Sequence, residues 1–99
     1  MREYTSKLKS EEMDYLFNVI LNLETLEECY RFFEDLCTIN ELQAMSQRLQ
    51  VAKMLLERKT YIDIAETTGA STATISRVNR SLNYGQDGYK IVFEKMKQK

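Results

Sequence analysis

Residues 60–82 read TYIDIAETTGASTATISRVNRSL, a pattern typical of two short helices joined by a tight turn. Gly69 marks the turn, because glycine accepts a positive φ at little steric cost. After it, Ile75, Val78 and Leu82 recur at helical spacing, which predicts that one face of the second helix packs against the protein. The packing face of the first helix is predicted to consist of Ile64 and Ala65. Together these positions predict a helix-turn-helix.

The outer face of the second helix is small, polar and basic. It carries Ala73, Ser76, Arg77 and Arg80. Such a face suits the major groove of DNA, which admits one α-helix. The alternative is a turn between two helices that has no role in DNA binding, since a small residue four positions before a glycine, as Ala65 is before Gly69, is common by itself. Here the apolar residues of the packing face and the small, polar and basic residues of the outer face fit the helix-turn-helix pattern at the same time, which favours DNA binding.

On this hypothesis the beginning of the second helix reads base edges and thymine methyl groups. The residues predicted for this role are Thr72, Ala73, Thr74 and Ser76, with Ser71 immediately before them. Contacts to phosphate or guanine are predicted for Arg77, Asn79 and Arg80. Thr60 and Tyr61, at the start of the first helix, are predicted to bind phosphate through hydroxyls and backbone N–H groups.

The composition predicts an all-α fold. The chain has 99 residues, which predicts a single domain over residues 1–99. It has no proline, and its three glycines all follow residue 68, so the first two-thirds lack strong helix breakers. No apolar run approaches the roughly 20 residues of a membrane span, and the charged N-terminus lacks the apolar core of a signal peptide. We therefore expect a cytoplasmic protein without a membrane partner.

Six helices are predicted from the spacing of apolar residues and from capping patterns. A mobile arm is predicted for residues 1–9, and residues 10–58 are assigned to three helices for the core and for dimerisation. These three helices are predicted to begin after Ser10, Thr25 and Thr38, the first ending near Leu23 and the third near Arg58. The helix-turn-helix is assigned to residues 60–83 and a C-terminal helix to residues 87–97.

The charge is distributed unevenly, although the net charge is only −1. Residues 1–10 carry +2, residues 11–47 carry −8 and residues 48–99 carry +5. The positive charge thus lies in the same half as the helix-turn-helix, as a DNA-binding face requires. The acidic half would be repelled by phosphate, so we expect it to point away from DNA.

Catalysis and metal binding have little support in the sequence. The chain has no histidine and two cysteines, Cys29 and Cys37, so a zinc site would need further Cys or His ligands, or carboxylates recruited to help. We interpret the two cysteines as reduced, partly buried thiols. No phosphate-binding glycine loop or nucleophile motif is present, so no catalytic residue, no metal and no enzyme activity are predicted.

The apolar residues of the first three helices exceed what one buried face per helix needs. The predicted buried side of the second helix consists of Leu26, Cys29, Phe32, Phe33 and Leu36, and Tyr15, Phe17 and Tyr30 add further aromatic surface. Along the third helix Leu42, Met45 and Leu49 form an apolar seam, while Val51, Met54 and Leu55 broaden it. A subunit interface is the simplest explanation, and an unusually large core within the monomer is the alternative.

A series of short motifs runs from about Leu36 to Met96: Thr38-x-x-Glu41, Arg48, Leu55-Leu56, Gly69-Ala70, Ala73-Thr74-Ile75-Ser76-Arg77 and Ser81-Leu82. In these motifs the chain resembles the bacterial Trp repressor family, and it is most similar to the YerC/YecD-like branch. The resemblance covers about 60 residues and implies a six-helix, intertwined homodimer that places two helix-turn-helix motifs in successive major grooves of a palindromic operator.

The resemblance also implies a tryptophan corepressor pocket, which this chain retains in part. Thr38, Arg48, Arg77 and Ser81 stand at the pocket positions. The family pattern, however, has glycine directly after the recognition-helix arginine, where the indole needs room, and this chain has Val78. Val78 therefore predicts a protein that fills its own pocket and needs no cofactor. The alternative is a pocket that binds tryptophan, a smaller amino acid or another ligand. Arg77 therefore has two assignments, one to the ligand and one to DNA.

Two function classes follow from these patterns. The first is a sequence-specific transcriptional regulator of double-stranded DNA, acting as a dimeric repressor. The second is a protein-interaction module that docks a protein partner through the helix-turn-helix, which would explain the acidic half of the chain. The exposed face lacks the aromatic anchors typical of protein interfaces, which favours the first class.

Overall fold

The computed structural model describes residues 4–99, which form six α-helices and contain no β-strand. The helices are α1 (Glu11–Ile20), α2 (Leu26–Leu36), α3 (Ile39–Leu56), α4 (Tyr61–Thr68), α5 (Thr72–Tyr84) and α6 (Gly88–Lys97). They belong to two compact units, one ending at Thr38 and the other spanning Ile39–Lys99. The predicted all-α, six-helix fold is confirmed.

The helices of the first unit begin where the capping residues predict. The Ser10 hydroxyl accepts a hydrogen bond from the Met13 N–H at 3.1 Å. The Thr25 hydroxyl accepts one from the Glu28 N–H at 3.1 Å, and the Glu28 carboxylate accepts one from the Glu24 N–H at 2.8 Å. These bonds satisfy backbone donors that have no partner within the helix, and so they fix the first turns of α1 and α2.

The predicted buried side of α2 is wrong for a single chain, because no residue of α1 or α2 is buried. Leu26 and Leu36 are 75% and 51% exposed. Phe32 and Phe33 are half-buried and meet edge to face, with their ring centroids 5.2 Å apart. The spacing of apolar residues identifies an apolar face, but it cannot tell which surface covers that face.

Three of the nine residues of the predicted mobile arm, residues 1–3, lie outside the described part of the chain. After them the Lys9 backbone N–H donates to the Ser6 carbonyl at 3.3 Å, which closes a turn. The Lys9 ammonium lies 2.7 Å from an Asp14 carboxylate oxygen. Both side chains are exposed enough that this ion pair contributes little stability.

The core of the second unit lies where α3, α4 and α5 meet. Its buried residues are Val51, Ala52, Met54, Ile64, Ala70, Ile75, Val78 and Leu82. From α6, Tyr89 and Phe93 pack against this core, with their rings stacked at a centroid distance of 6.5 Å. The core therefore holds the two helices of the predicted motif against α3, which is the longest described helix.

Two helices end earlier than predicted. α1 ends at Ile20 rather than near Leu23, and α3 ends at Leu56 rather than near Arg58. Arg58 has a φ of 63°, in the left-handed region, which is incompatible with a continuing helix. The Lys59 N–H donates back to the Met54 carbonyl at 3.0 Å, a bond that closes the end of α3.

Replacing Gly85 with alanine is expected to destabilise the protein. A Cβ at this position would collide with the backbone carbonyl oxygen of Ser81, to which the Gly85 N–H donates. Because a backbone atom cannot move aside cheaply, we expect a loss of about 1–3 kcal/mol of unfolding free energy. Gly88→Ala is the matched control, since a Cβ there meets nothing within 4 Å. Equal denaturation midpoints for the two variants would contradict this account of Gly85.

Candidate nucleic-acid interface

The turn between α4 and α5 is built from local capping chemistry. The Thr60 hydroxyl starts α4 by accepting a hydrogen bond from the Asp63 N–H at 3.1 Å. Gly69 ends this helix in the left-handed region, with a φ of 75°, and its N–H donates to the Ala65 carbonyl at 2.9 Å. The Ser71 hydroxyl then starts α5. The predicted helix-turn-helix geometry is therefore present at the predicted residues.

The two faces of α5 differ sharply in exposure. Ile75, Val78 and Leu82 are buried in the core. The opposite face is exposed and carries Ala73, Ser76, Arg77 and Arg80. Side chains on this face are small or basic, so the helix backbone could approach a groove closely while the arginines reach outward. We call α5 the recognition helix for this reason.

The other residues predicted to contact DNA differ in accessibility. Exposed positions include Thr60, Tyr61, Ser71 and Thr72. Thr74 is half-buried, and its hydroxyl oxygen accepts a hydrogen bond from the Ser71 hydroxyl at 3.1 Å. Asn79 is also half-buried, and its backbone carbonyl accepts from the Asn83 side-chain amide at 3.0 Å. Within α5, the exposed residues among the predicted contacts are thus Thr72, Ala73, Ser76, Arg77 and Arg80.

The charges of the recognition helix are available for an anionic partner. Among residues 4–99 the ion pairs are Lys9–Asp14, Arg31–Glu27 and Lys97–Glu94, and none involves Arg77 or Arg80. The first turn of α5 contains no acidic residue, so the partial positive charge at its N-terminus is not neutralised there. Both features favour the approach of a phosphate backbone to the start of this helix.

Four of the residues predicted to line the ligand pocket belong to the second unit, and one of these four is buried. Val78 is 2% exposed and belongs to the core, whereas Arg48, Arg77 and Ser81 are exposed. Thr38 is the last residue of the first unit. The two methyl groups of Val78 occupy core volume that a glycine would leave empty.

Two polar residues beside the turn were not predicted from the sequence. Gln47 of α3 donates its side-chain amide to the Thr68 carbonyl at the end of α4, at 3.2 Å. The two residues are 21 positions apart, and no local pattern in the sequence links them. Only the packing of α3 against α4 brings them together.

Comparison with known proteins agrees with this geometry. A model of the Trp repressor protein family matches residues 11–97. The chain is 61% identical over 92 residues to the uncharacterized protein YerC of Bacillus subtilis, covering 93% of this chain and 88% of that protein. The chain therefore belongs to the Trp repressor family.

Two crystal structures have the same fold. A TrpR-like protein from Eubacterium eligens has a TM-score of 0.88 and 66% identity, covering 91% of this chain and 93% of that one. A candidate Trp repressor from Staphylococcus aureus has a TM-score of 0.88 and 56% identity, covering 92% and 91% of the two chains. Family and fold are those of a regulatory DNA-binding protein. Within residues 4–99, none of the helices combines the length and apolar character needed to cross a membrane.

Proposed function

We propose that this protein is a sequence-specific transcriptional regulator that binds double-stranded DNA through α5, and that it acts as a repressor by occluding promoter DNA. The observation that carries the proposal is the exposed face of α5, which is small, polar and basic opposite a fully buried apolar face. Membership of the Trp repressor family supports the same function. In this proposal Thr72, Ala73 and Ser76 lie nearest to the base edges, and Arg77 and Arg80 neutralise phosphate.

The proposed active form is a homodimer on a palindromic operator. Large apolar side chains are exposed on the single chain, on α1 and α2 and along α3. In the second unit an open groove of about 540 Å³ has Leu49, Leu56, Phe93 and Met96 among its lining residues. Soluble monomers rarely expose large apolar patches, so exposed apolar faces in each of the two units favour burial against a second copy.

We expect light scattering to give the mass of a dimer at micromolar protein concentration. The interface is proposed to consist of α1, α2 and the α3 seam around Leu42, Met45 and Leu49. Met45→Glu would place a charge on this seam, at a residue that is 46% exposed in the single chain, and should shift the mass toward that of a monomer. Asn83→Glu, at an exposed position of α5 outside the seam, is the control. A monomer mass for the parent chain would overturn the dimer.

The choice of base pairs is expected to depend on Ala73. Ala73→Gln adds a long polar side chain at an exposed position of the recognition helix, so it should change the preference at particular base pairs. An altered base contact is worth roughly 1–3 kcal/mol per base pair. Selection of bound duplexes from a random library measures this preference. Identical selected sequences for parent and variant would show that Ala73 does not face the bases.

A second candidate function is docking of a protein partner by the helix-turn-helix, favoured by the excess of acidic residues between positions 11 and 47. Salt separates the two functions, because phosphate binding weakens steeply as salt rises, whereas a hydrophobic protein contact does not. We expect gel-shift affinity for duplex DNA to fall steeply in a salt series. If no retardation occurs even at low salt, the DNA-binding function fails and the docking function becomes the stronger candidate.

A further inference from the structure

A small network of hydrogen bonds surrounds Thr68, the last residue of α4. The Thr68 hydroxyl donates to the Ile64 carbonyl at 2.7 Å and accepts from the Ala70 N–H at 3.1 Å. The Thr68 carbonyl accepts from the Gln47 side-chain amide at 3.2 Å. Gln47 and Thr68 are both half-buried, so water competes less with these bonds than at an open surface.

Each bond acts on a part of the backbone that leads into α5. Carbonyl groups in the last turn of a helix have no partner within that helix, and Gln47 supplies one from α3. The Ala70 N–H lies between Gly69, in its left-handed conformation, and Ser71, which caps α5. The Ala70 side chain is itself buried in the core. The network therefore holds the middle of the turn as well as the end of α4.

We propose that Gln47 and Thr68 form a polar clamp that positions the recognition helix for base reading, an inference that rests on the DNA-binding function proposed above. Neither residue has to touch DNA. Gln47 fixes the end of α4 against α3, and Thr68 fixes the backbone that enters α5. Without the clamp, the turn between α4 and α5 allows α5 to sample several orientations, and only a fraction of them fits the major groove. The apparent affinity for the specific site falls in proportion to that fraction.

This role can be distinguished from a general contribution to folding. Non-specific DNA binding depends on the number of phosphate charges that the protein neutralises, and neither clamp residue is charged. Loss of the clamp should therefore weaken specific binding and leave non-specific binding unchanged. A lower fraction of folded protein would instead reduce both to the same extent. The ratio of the two affinities is the informative quantity.

The experiment uses four substitutions in pairs, together with a conservative one. Thr68→Val removes the hydroxyl at nearly constant shape, and Thr67→Val is its control at the exposed neighbouring threonine. Gln47→Met removes the amide at similar length, and Gln43→Met is its control at an exposed glutamine of α3. Thr68→Ser keeps the hydroxyl and should restore the parent's behaviour. Each protein is titrated, at one salt concentration, against the duplex site that the parent selects and against an unrelated duplex.

Thr68→Val and Gln47→Met are expected to lower the affinity for the specific site about three- to tenfold, the worth of a typical hydrogen bond. The unrelated duplex should bind unchanged. Thr68→Ser and both controls should match the parent. Hydrogen exchange gives a readout without DNA, since the Ala70 amide should exchange faster in Thr68→Val and not in Thr68→Ser or Thr67→Val.

Two results would overturn the clamp. In the first, Thr68→Val and Gln47→Met keep the parent's ratio of specific to non-specific affinity while the parent shows a clear sequence preference. In the second, the Ala70 amide exchanges equally in all the proteins. A parent chain without any sequence preference would overturn the proposed function first, and the clamp's role in base reading with it.

Discussion

The Arg77→Ala, Arg80→Ala double variant is expected to bind every DNA sequence about 60-fold more weakly than the parent at 0.1 M salt, because each lost phosphate contact removes about one released counterion. Both arginines are exposed on the recognition helix, and neither forms an ion pair among the described residues. The slope of log affinity against log salt should become shallower by about two units, and by about one for Arg80→Ala alone.

Arg31→Ala is the control for this experiment. Arg31 is exposed and pairs with Glu27 at 3.0 Å, in the acidic part of the chain. Its loss should leave the salt slope unchanged. If the double variant has the same slope as Arg31→Ala and the parent, the recognition helix does not lie against phosphate. If the double variant has the same slope as the Arg80→Ala single variant, Arg77 does not contact phosphate and is free for the alternative role in ligand binding.

Val78→Gly is expected to create tryptophan binding in a protein that otherwise has none. Val78 is buried in the core, at the position where the family pattern has glycine beside the indole. The parent should therefore give no heat with tryptophan in calorimetry, and its DNA affinity should not depend on tryptophan. In Val78→Gly the indole has room, with Arg48 and Arg77 on exposed positions to meet a carboxylate.

The same substitution should cost about 3 kcal/mol of unfolding free energy, because it removes a buried side chain and places glycine inside a helix. Tryptophan should restore part of this stability by binding the folded state. Val78→Ala is the graded control, which opens less space and should bind tryptophan weakly or not at all. Heat from tryptophan at micromolar affinity with the parent would show that Val78 does not close the pocket. Heat from a smaller amino acid would favour the alternative ligand.

The parts of the fold that depend on local chemistry were predictable. Ser10, Thr25, Thr60 and Ser71 all cap the helices that follow them. The buried face of α5 was predictable as well, because helical spacing identifies the face of a helix that is covered on one side. Gly69 has the predicted positive φ.

Features that depend on distant contacts, or on a left-handed residue that is not glycine, were not predictable. α2 has an apolar side without burying any residue in the single chain, since spacing does not identify the covering surface. Arg58 ends α3 in the left-handed region, and an arginine at this position does not indicate that conformation as a glycine would. The bond between Gln47 and Thr68 joins residues that meet only through helix packing. The roles of the predicted DNA and ligand residues stay predictions until binding is measured.

Genomic footprinting of DNA bound by the full chain shows whether α5 reads DNA sequence as part of a dimer. We expect a small set of protected sites that share one two-fold symmetric sequence, with half-sites about 10 base pairs apart from centre to centre, as two recognition helices of a dimer require. Arg77→Ala, Arg80→Ala protein should lose this protection. Uniform protection without a shared sequence, or protection that the double variant retains, would contradict the claim that α5 reads DNA.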